Sequence, residues 1–170
     1  MENICAIFCL DIETNNKIQN IRDKLNRYNL PIKKLNIHIT IANFIDIDSK
    51  DIIKYSEEFI KKIKPFIITY KSVNILDENC LACIPEPSLE LIRYYDEYHR
   101  RYDEYCDKWT KKENNLWIPH STIYSKSGAD YNLMKQEINN SFIPFDGKVV
   151  RFELSKINKD GFAIIYSKDL

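Results

Sequence analysis

The sequence has few glycines and few histidines, and this scarcity excludes several kinds of active site. Its 170 residues include three glycines, Gly128, Gly147 and Gly161, and no two of them lie close together. Walker-type phosphate loops and dinucleotide-binding fingerprints need clustered glycines so that the backbone can approach phosphate, and both are therefore excluded. The chain has three histidines, which leaves little room for a histidine-rich metal centre.

The sequence also lacks an excess of charge of one sign and lacks long hydrophobic runs. Lysine plus arginine and aspartate plus glutamate each total 25, so no strong field favours long nucleic acid or an anionic membrane. The residues from Met1 to Asn3 lack the basic region of a secretory signal. The longest uncharged apolar run, Leu35 to Ile45, is shorter than the stretch of about 20 residues that spans a bilayer. These features predict a protein that does not bind membranes.

The cysteines indicate a reducing compartment. They are five in number and lie mostly among apolar neighbours, which favours a cytoplasmic location over a disulfide framework. Cys80 and Cys83 have the Cys-x-x-Cys spacing of redox and zinc motifs, but no second pair accompanies them. Buried structural thiols are therefore the preferred interpretation. We also expect the protein to be cytoplasmic and monomeric.

Hydrophobic periodicity predicts strands and helices that alternate along the chain in two similar halves. Strands are expected near residues 4–10, 35–42, 66–75, 81–84, 117–124, 148–157 and 162–167, and helices near 18–28, 48–64, 89–109 and 129–140. Short connections favour antiparallel pairing, so the predicted fold class is α+β. No linker divides the chain, which predicts a single domain over residues 1–170.

Two segments carry the pattern histidine, any residue, threonine. They are His38 with Thr40, and His120 with Thr122, and both lie in predicted strands. Side chains i and i+2 project from the same face of a strand, so each histidine is expected to point with its threonine. An imidazole that moves protons beside a hydroxyl that donates a hydrogen bond suits an anionic phosphate.

Two such pairs facing each other across a cleft provide a general base and a general acid. One neutral imidazole deprotonates the attacking hydroxyl or water, and one protonated imidazole donates a proton to the leaving oxygen. The ordinary pKa of histidine, about 6.5, makes both forms accessible near neutral pH. Each proton transfer is worth roughly 10²–10⁴-fold in rate. The scheme needs neither a metal nor a cofactor, and either histidine can take either role.

A structural interpretation competes with catalysis at each histidine. A lone strand histidine is more often structural, but the repeated pattern uses two of the three histidines in the chain, which favours catalysis. His99 lacks the pattern and lies on a tyrosine-rich predicted helix, so a structural role is preferred there. A zinc site formed by His38, His99 and His120 remains an alternative, although no nearby carboxylate or second Cys/His pair supports it.

Two aromatic residues are candidates for substrate binding because of strand parity. Tyr124 shares parity with His120 and Thr122, so its ring is placed to stack on a base or ribose. Phe44 has the corresponding parity after the first motif. For Tyr124 the alternative is an ordinary rim or core tyrosine, and for Phe44 a core position is favoured.

At these residues the sequence resembles the 2H phosphoesterase superfamily, which includes bacterial 2′-5′ RNA ligase-like proteins and cyclic phosphodiesterases. The stretches Lys34 to Ile41 and Trp117 to Ile123 are similar to the paired motifs of that family, including the proline before the second histidine. The stretch from Val149 to Ile165 is similar to its C-terminal hairpin. The sequence departs from the pattern at Tyr124 and Ser125, because several bacterial relatives have an arginine soon after the second motif.

The resemblance implies a bilobal α+β fold, with two pseudo-symmetric lobes of antiparallel strands, outer helices and a central cleft. It also implies metal-independent chemistry that opens 2′,3′-cyclic phosphates or cleaves 2′-5′-type linkages. The expected partner is a nucleotide or short RNA that carries such a phosphate. Two alternatives remain open: a 2′-5′ RNA ligase, which runs the same chemistry in reverse, and a non-catalytic module that binds RNA ends or nucleotides.

Overall fold

The computed structural model describes residues 2–25, 37–77, 79–126, 128–158 and 161–170, which form seven strands and four α-helices. In chain order these are β1 (Glu2–Leu10), α1 (Ile12–Asp23), β2 (His38–Ile47), α2 (Ser49–Ile60), β3 (Phe66–Leu76), β4 (Cys80–Pro85), α3 (Leu89–Tyr98), β5 (Ser121–Tyr124), α4 (Tyr131–Asn139), β6 (Phe145–Asn158) and β7 (Gly161–Asp169). The first-motif residues 34–36 and the predicted end of the first helix near residue 28 lie outside the described residues.

Each α-helix begins at a side chain that accepts a hydrogen bond from the first turn. The four capping residues are Asp11, Asp48, Ser88 and Asp130. Such caps satisfy backbone N–H groups that have no partner within the helix. None of the described helices is long and apolar enough to cross a bilayer.

The strands form one antiparallel sheet that divides along β6. The strand order is β2-β1-β6-β3-β4-β5, and β7 also pairs with β6. Residues 145–149 of β6 pair with β3, whereas residues 149–157 pair with β1 and residues 151–158 pair with β7. One lobe therefore contains β2, β1 and β7, the other contains β3, β4 and β5, and β6 belongs to both. The predicted α+β class with two lobes of antiparallel strands is confirmed.

The same order of elements occurs twice in the chain. The series β1-α1-β2-α2 in the first half is repeated as β4-α3-β5-α4 in the second half. In each series the two strands pair with each other in antiparallel fashion. The second strand of each series, β2 or β5, lies at an outer end of the sheet. The first motif pair begins β2, and the second lies at the start of β5 with His120 one residue before it, which gives the lobes the predicted pseudo-symmetry.

An aromatic cluster fixes α2 and α3 on the first lobe. Phe8 of β1 and Phe152 of β6 have ring centroids 6.1 Å apart, and Tyr98 of α3 lies 5.6 Å from Phe152. Phe59 of α2 lies 4.7 Å from Tyr98. Aromatic pairs of this kind contribute about 0.5–1.5 kcal/mol each beyond the area that they bury. The cluster therefore anchors the end of α3, where His99 follows.

The predicted helix over 89–109 is wrong in its second half, because α3 ends at Tyr98. Tyr102 adopts a left-handed backbone with φ of 68°, which an α-helix does not allow. Cys106 then forms an isolated antiparallel bridge with Phe44 of β2. The spacing of apolar residues continues past Tyr98 and therefore predicted a longer helix. In the structure Cys106 pairs with a strand instead of lying on a helical face. Similarly, β5 begins at Ser121, so His120 lies one residue before the strand.

We predict that Gly147→Ala destabilises the fold because β6 has no room for a Cβ there. An added Cβ would lie 2.6 Å from Cγ2 of Thr14 and 3.2 Å from Cε2 of Tyr70. Overpacking of this kind costs about 1–3 kcal/mol in the free energy of unfolding, measurable by urea denaturation. Thr14→Ser removes the closest atom, so the same glycine substitution should cost less in that background. An equal cost in both backgrounds would contradict the steric explanation.

Candidate active site

The two motifs are joined by side chains that donate to backbone carbonyls. The hydroxyl of Ser121, next to His120, donates to the carbonyl oxygen of His38 over 3.0 Å. Since that hydroxyl proton is used, the Tyr70 hydroxyl donates to Ser121 Oγ over 2.6 Å. Trp117 Nε1 donates to the carbonyl oxygen of Thr40 over 2.9 Å. The end of β2 and the start of β5 therefore lie side by side.

Two further side chains cross between the halves. Arg22 of α1 is 2% exposed and donates to the carbonyl oxygen of Thr122 in β5. Burial lowers the pKa of Arg22 from its ordinary value. In the opposite direction, His99 Nε2 donates to the carbonyl oxygen of Ile41 in β2 over 2.7 Å. Each motif strand is thus held by a buried side chain from the other half.

A β-bulge follows the first motif. Thr40 pairs with Ile7, but the next pair joins Ala42 to Ala6, so Ile41 is an extra residue in β2. An extra residue in one strand reverses which face the following side chains occupy. The side chains after Thr40 therefore no longer follow simple alternation from His38.

The second motif has the same irregularity at the same place. Thr122 pairs with Ala82, whereas Tyr124 pairs with Leu81, so Ile123 is the extra residue in β5. The bulge again comes directly after the motif threonine. This agreement extends the pseudo-symmetry of the lobes to single residues.

The bulges explain why both predicted substrate-binding aromatics lie away from the cleft. Phe44 is 2% exposed, and its ring centroid lies 6.0 Å from that of Tyr98 in the core. Tyr124 is 6% exposed, with its ring centroid 6.1 Å from that of Tyr131. Neither is among the described residues that line the cavity between the motifs. The parity argument is corrected here, and Asn43 occupies the cavity face that was expected for Phe44.

A cavity of about 410 Å³ lies between the motifs. Its described lining consists of Thr40, Asn43, Ile75, Leu76, Asp77, Cys80, Trp109, Thr110, Leu116, Trp117, Ile118 and His120. One residue of each motif, Thr40 and His120, therefore faces the same space. Thr122 lies next to it, because its Oγ1 is 3.8 Å from Sγ of the lining residue Cys80. His38 is partly buried at the start of β2 and is not in that lining.

His120 is held in one tautomer by the backbone. Its Nδ1 lies 2.8 Å from the carbonyl oxygen of Ile118, and since a carbonyl can only accept, Nδ1 carries the proton. Burial lowers the pKa of His120 from its ordinary value of 6.5, and the hydrogen bond to Ile118 opposes that shift. A neutral ring with its lone pair on Nε2 is therefore the favoured form near neutral pH, as a general base requires.

Neither tryptophan was predicted from the sequence to be a site residue. Trp117 is stacked on Tyr95, with ring centroids 3.9 Å apart and planes 5° from parallel. Trp109 is 45% exposed at the cavity, together with the exposed side chains of Leu116 and Ile118. Trp117 belongs to the second motif segment, which was a usable signal, whereas Trp109 lay on a predicted helix that does not form there.

Asp107 holds the loop that carries Trp109. Its Oδ1 accepts hydrogen bonds from the backbone N–H groups of Trp109 and Thr110, at 3.1 and 2.8 Å, and from the Thr110 hydroxyl. Its Oδ2 accepts from the side-chain amide of Asn43 over 3.3 Å. An exposed indole is thus kept at the cavity by a polar network, and the ammonium of Lys108 lies 4.4 Å from its ring centroid.

One group of metal-ligating side chains occurs among the described residues: His99, Asp103 and Cys106, whose ligand atoms lie within 4.8 Å of one another. His99 Nδ1 is 2.6 Å from Asp103 Oδ1, and Nε2 is bonded to Ile41. Burial opposes a low pKa at Asp103, but hydrogen bonds from the Lys112 backbone and His99 outweigh it and lower that pKa. Because both ring nitrogens are engaged, the structural interpretation of His99 is favoured over the three-histidine zinc site.

Solved structures of other proteins match the fold of this chain. No protein-family model and no curated protein match the sequence. A crystal structure described as a phosphoesterase matches with a TM-score of 0.64 and 14% identity, over 99% of this chain and 98% of that chain. Escherichia coli LigT complexed with 3′-AMP matches with a TM-score of 0.64 and 14% identity, over 99% and 97%. TT0787 of Thermus thermophilus matches with a TM-score of 0.69 and 13% identity, over 99% and 97%.

The chain has the 2H phosphoesterase fold. The resemblance stated from the sequence is therefore confirmed at the level of architecture, over nearly the whole chain. Within this fold the two motifs lie at the outer ends of the sheet, and one residue of each motif, Thr40 and His120, lines the cavity.

We predict that the stability of the protein reflects the lowered pKa of His120. The unfolded chain protonates this histidine at a higher pH than the folded chain, so the free energy of unfolding falls as the pH drops through 6.5. The loss levels off below the folded pKa. His120→Gln removes this contribution, so its stability should fall less than that of wild type across the same interval, measured by urea denaturation on both sides of pH 6.5.

Nuclear magnetic resonance gives the direct measurement for the same prediction. The ring protons of His120, assigned by comparison with His120→Gln, should titrate below pH 6.5. A midpoint at or above that value would contradict the lowered pKa of His120.

Proposed function

We propose that the protein is a phosphoesterase that opens 2′,3′-cyclic phosphates on nucleotides or short RNA. The observation that carries this proposal is that Thr40 and His120, one from each motif, line the same cavity. With Thr122 beside the cavity and His38 on the same strand face as Thr40, the two motifs together supply two proton-transfer groups and two hydroxyl donors for a single phosphate.

His120 serves as general base and His38 as general acid. The Nε2 lone pair of His120 takes a proton from water, and the water oxygen forms a bond to phosphorus. The bond from phosphorus to one ribose oxygen breaks, and His38 gives its proton to that oxygen. Thr40 and Thr122 donate to the non-bridging oxygens, where negative charge increases in the transition state. No step requires a metal ion.

The charges around the cavity favour a diester as substrate. Among the described lining residues there is no lysine or arginine, and Asp77 contributes a carboxylate. A cyclic phosphodiester carries one negative charge, whereas a terminal phosphate monoester carries up to two. The Lys108 ammonium, 4.4 Å from the ring centroid of the lining residue Trp109, offsets the Asp77 carboxylate. A single protonated imidazole then balances the diester, so a cyclic phosphate suits this cavity better than a monoester.

The compared structures support a nucleotide as the carrier of the phosphate. Escherichia coli LigT has been crystallised with 3′-AMP, with phosphate and with ATP. The cavity of about 410 Å³ combines polar groups of the motifs with the exposed apolar side chains of Trp109, Leu116 and Ile118. A phosphate at the motifs and a base on the apolar side is the arrangement that we propose.

We predict that His38→Ala and His120→Ala each lower kcat by about 10²–10⁴-fold, because each removes one proton transfer. The assay follows opening of 2′,3′-cyclic nucleotides in the presence of EDTA, by chromatography of the products. Circular dichroism and thermal unfolding of each variant serve as the control for folding. Full activity in either folded variant would reject the mechanism.

The same assay separates the proposal from its alternatives. A wild-type protein that binds cyclic nucleotides but never converts them would indicate a binding module. Joined product from a 2′,3′-cyclic end and a 5′-hydroxyl end, without hydrolysis, would indicate a ligase.

We predict that Trp109→Ala raises KM by about five- to a hundredfold, since stacking on an aromatic side chain is worth about 1–3 kcal/mol per base. The matched control Trp109→Phe keeps an aromatic face and should retain most of the affinity. A base-free ribose 2′,3′-cyclic phosphate should be opened equally well by wild type and Trp109→Ala. An unchanged KM for nucleotides would show that the indole does not contact the base.

A further inference from the structure

Each motif threonine has a thiol beside its hydroxyl. Sγ of Cys5 in β1 lies 4.0 Å from Oγ1 of Thr40, and Sγ of Cys80 in β4 lies 3.8 Å from Oγ1 of Thr122. Both distances lie within the range of hydrogen bonds to sulfur, and neither contact is needed for the backbone ladder. The contact between cysteine and threonine therefore occurs twice, once at each half of the candidate site.

The two cysteines occupy equivalent places in the two halves. In β1, Cys5 comes two residues before Ile7, the residue that pairs with Thr40. In β4, Cys80 comes two residues before Ala82, the residue that pairs with Thr122. Residues i and i+2 share a face, so each thiol is a diagonal neighbour of its threonine on the same face of the sheet. The shared offset makes the contact a repeated feature of the fold.

Both thiols keep their protons at neutral pH. Burial raises the pKa of Cys5 to about 12 and outweighs the hydrogen bond that the Thr40 hydroxyl offers to the thiolate form. Burial likewise raises the pKa of Cys80, again against a hydrogen bond with its threonine. A protonated thiol is a weak donor, and a threonine hydroxyl has one proton to donate and two lone pairs to accept with. When the thiol donates, the threonine proton is left for another acceptor.

We propose that Cys5 and Cys80 are positioning residues, whose S–H groups donate to Thr40 and Thr122 so that each threonine directs its own O–H to the phosphate. This inference rests on the proposed function, because it assigns the threonine protons to the non-bridging phosphate oxygens. Without the thiol, the hydroxyl is free to rotate and to donate to sulfur or backbone. The arrangement is repeated because the phosphate is held from both halves.

Kinetics of alanine variants test the inference. Cys5→Ala and Cys80→Ala should each lower kcat about two- to twelvefold, the effect of losing one hydrogen bond of about 0.5–1.5 kcal/mol in the transition state. Cys83→Ala is the comparison variant: Cys83 is also a buried thiol of β4, it pairs with Ser121, and no described hydrogen bond joins it to a motif threonine. The control should lose thermal stability without a change in kcat.

Double variants distinguish positioning from a merely structural effect. In a Thr122→Val background there is no hydroxyl to direct, so Cys80→Ala should cause no further loss of kcat. The same holds for Cys5→Ala in a Thr40→Val background. Losses that multiply independently in both pairs would overturn the inference, because the thiols would then act without their threonines.

Infrared spectroscopy of the S–H stretch provides a readout that does not depend on activity. The stretching band of a donating thiol lies at lower frequency than that of a free thiol. Difference spectra between wild type and each cysteine variant identify the bands of Cys5 and Cys80. Thr40→Val should move the Cys5 band, and Thr122→Val the Cys80 band, to higher frequency.

The outcomes distinguish failure of the proposed function from failure of this inference alone. An inactive wild type overturns the proposed function and this inference with it. An active wild type whose Cys5→Ala and Cys80→Ala variants match Cys83→Ala in kcat overturns the inference alone. Thiol bands that do not move after the threonine substitutions also overturn it, since the S–H groups then donate elsewhere.

Discussion

The candidate site depends on how the outer strands of the sheet satisfy their backbone carbonyls. Among the described strands, β2 and β5 each have one strand neighbour, so one edge of each lacks a ladder. Side chains of the opposite half donate to these edges: Ser121, Trp117 and His99 to β2, and Arg22 to β5. A buried carbonyl without a partner costs about 1–3 kcal/mol, so separating the motif strands would forfeit several such bonds at once. The requirement to satisfy the backbone therefore also brings the two motifs together.

The paired β-bulges decide which residues face the cavity. Each bulge follows a motif threonine, so the histidine–threonine pair keeps normal alternation while later residues change face. In the first half this turns Phe44 into the core and Asn43 towards the cavity, where Asp107 orients its amide. The loop that carries Trp109 is held by the same carboxylate. The one-residue bulge in β2 thus places Asn43 where its amide donates to Asp107, which lies in the segment between α3 and β5.

Local patterns predicted most of the elements, because period-two alternation and helical spacing report on burial directly. The repeated histidine–threonine pattern singled out Thr40 and His120, which line one cavity, whereas the catalytic role of the histidines stays a prediction. The α+β class and the two similar halves of the chain follow from such patterns, whereas the two lobes were implied by the resemblance to the 2H phosphoesterases. The end of α3 was not predicted, because the residues after Tyr98 keep apolar spacing although Cys106 pairs with a strand. The positions of Phe44 and Tyr124 failed for another reason: a bulge is a property of strand register, and one strand read alone does not reveal its partner. Trp109 was missed because its exposure depends on a loop held by distant hydrogen bonds.

The shared strand β6 has a mechanical consequence for the space between the lobes. Its 14 residues run from the ladder of one lobe into the ladder of the other. The pairs with β3 end at Val149, the pairs with β7 begin at Arg151, and the ladder to β1 skips Val150 between them. A rotation of one lobe against the other would therefore break the fewest ladder bonds at Val150, which makes this residue the natural pivot of the sheet.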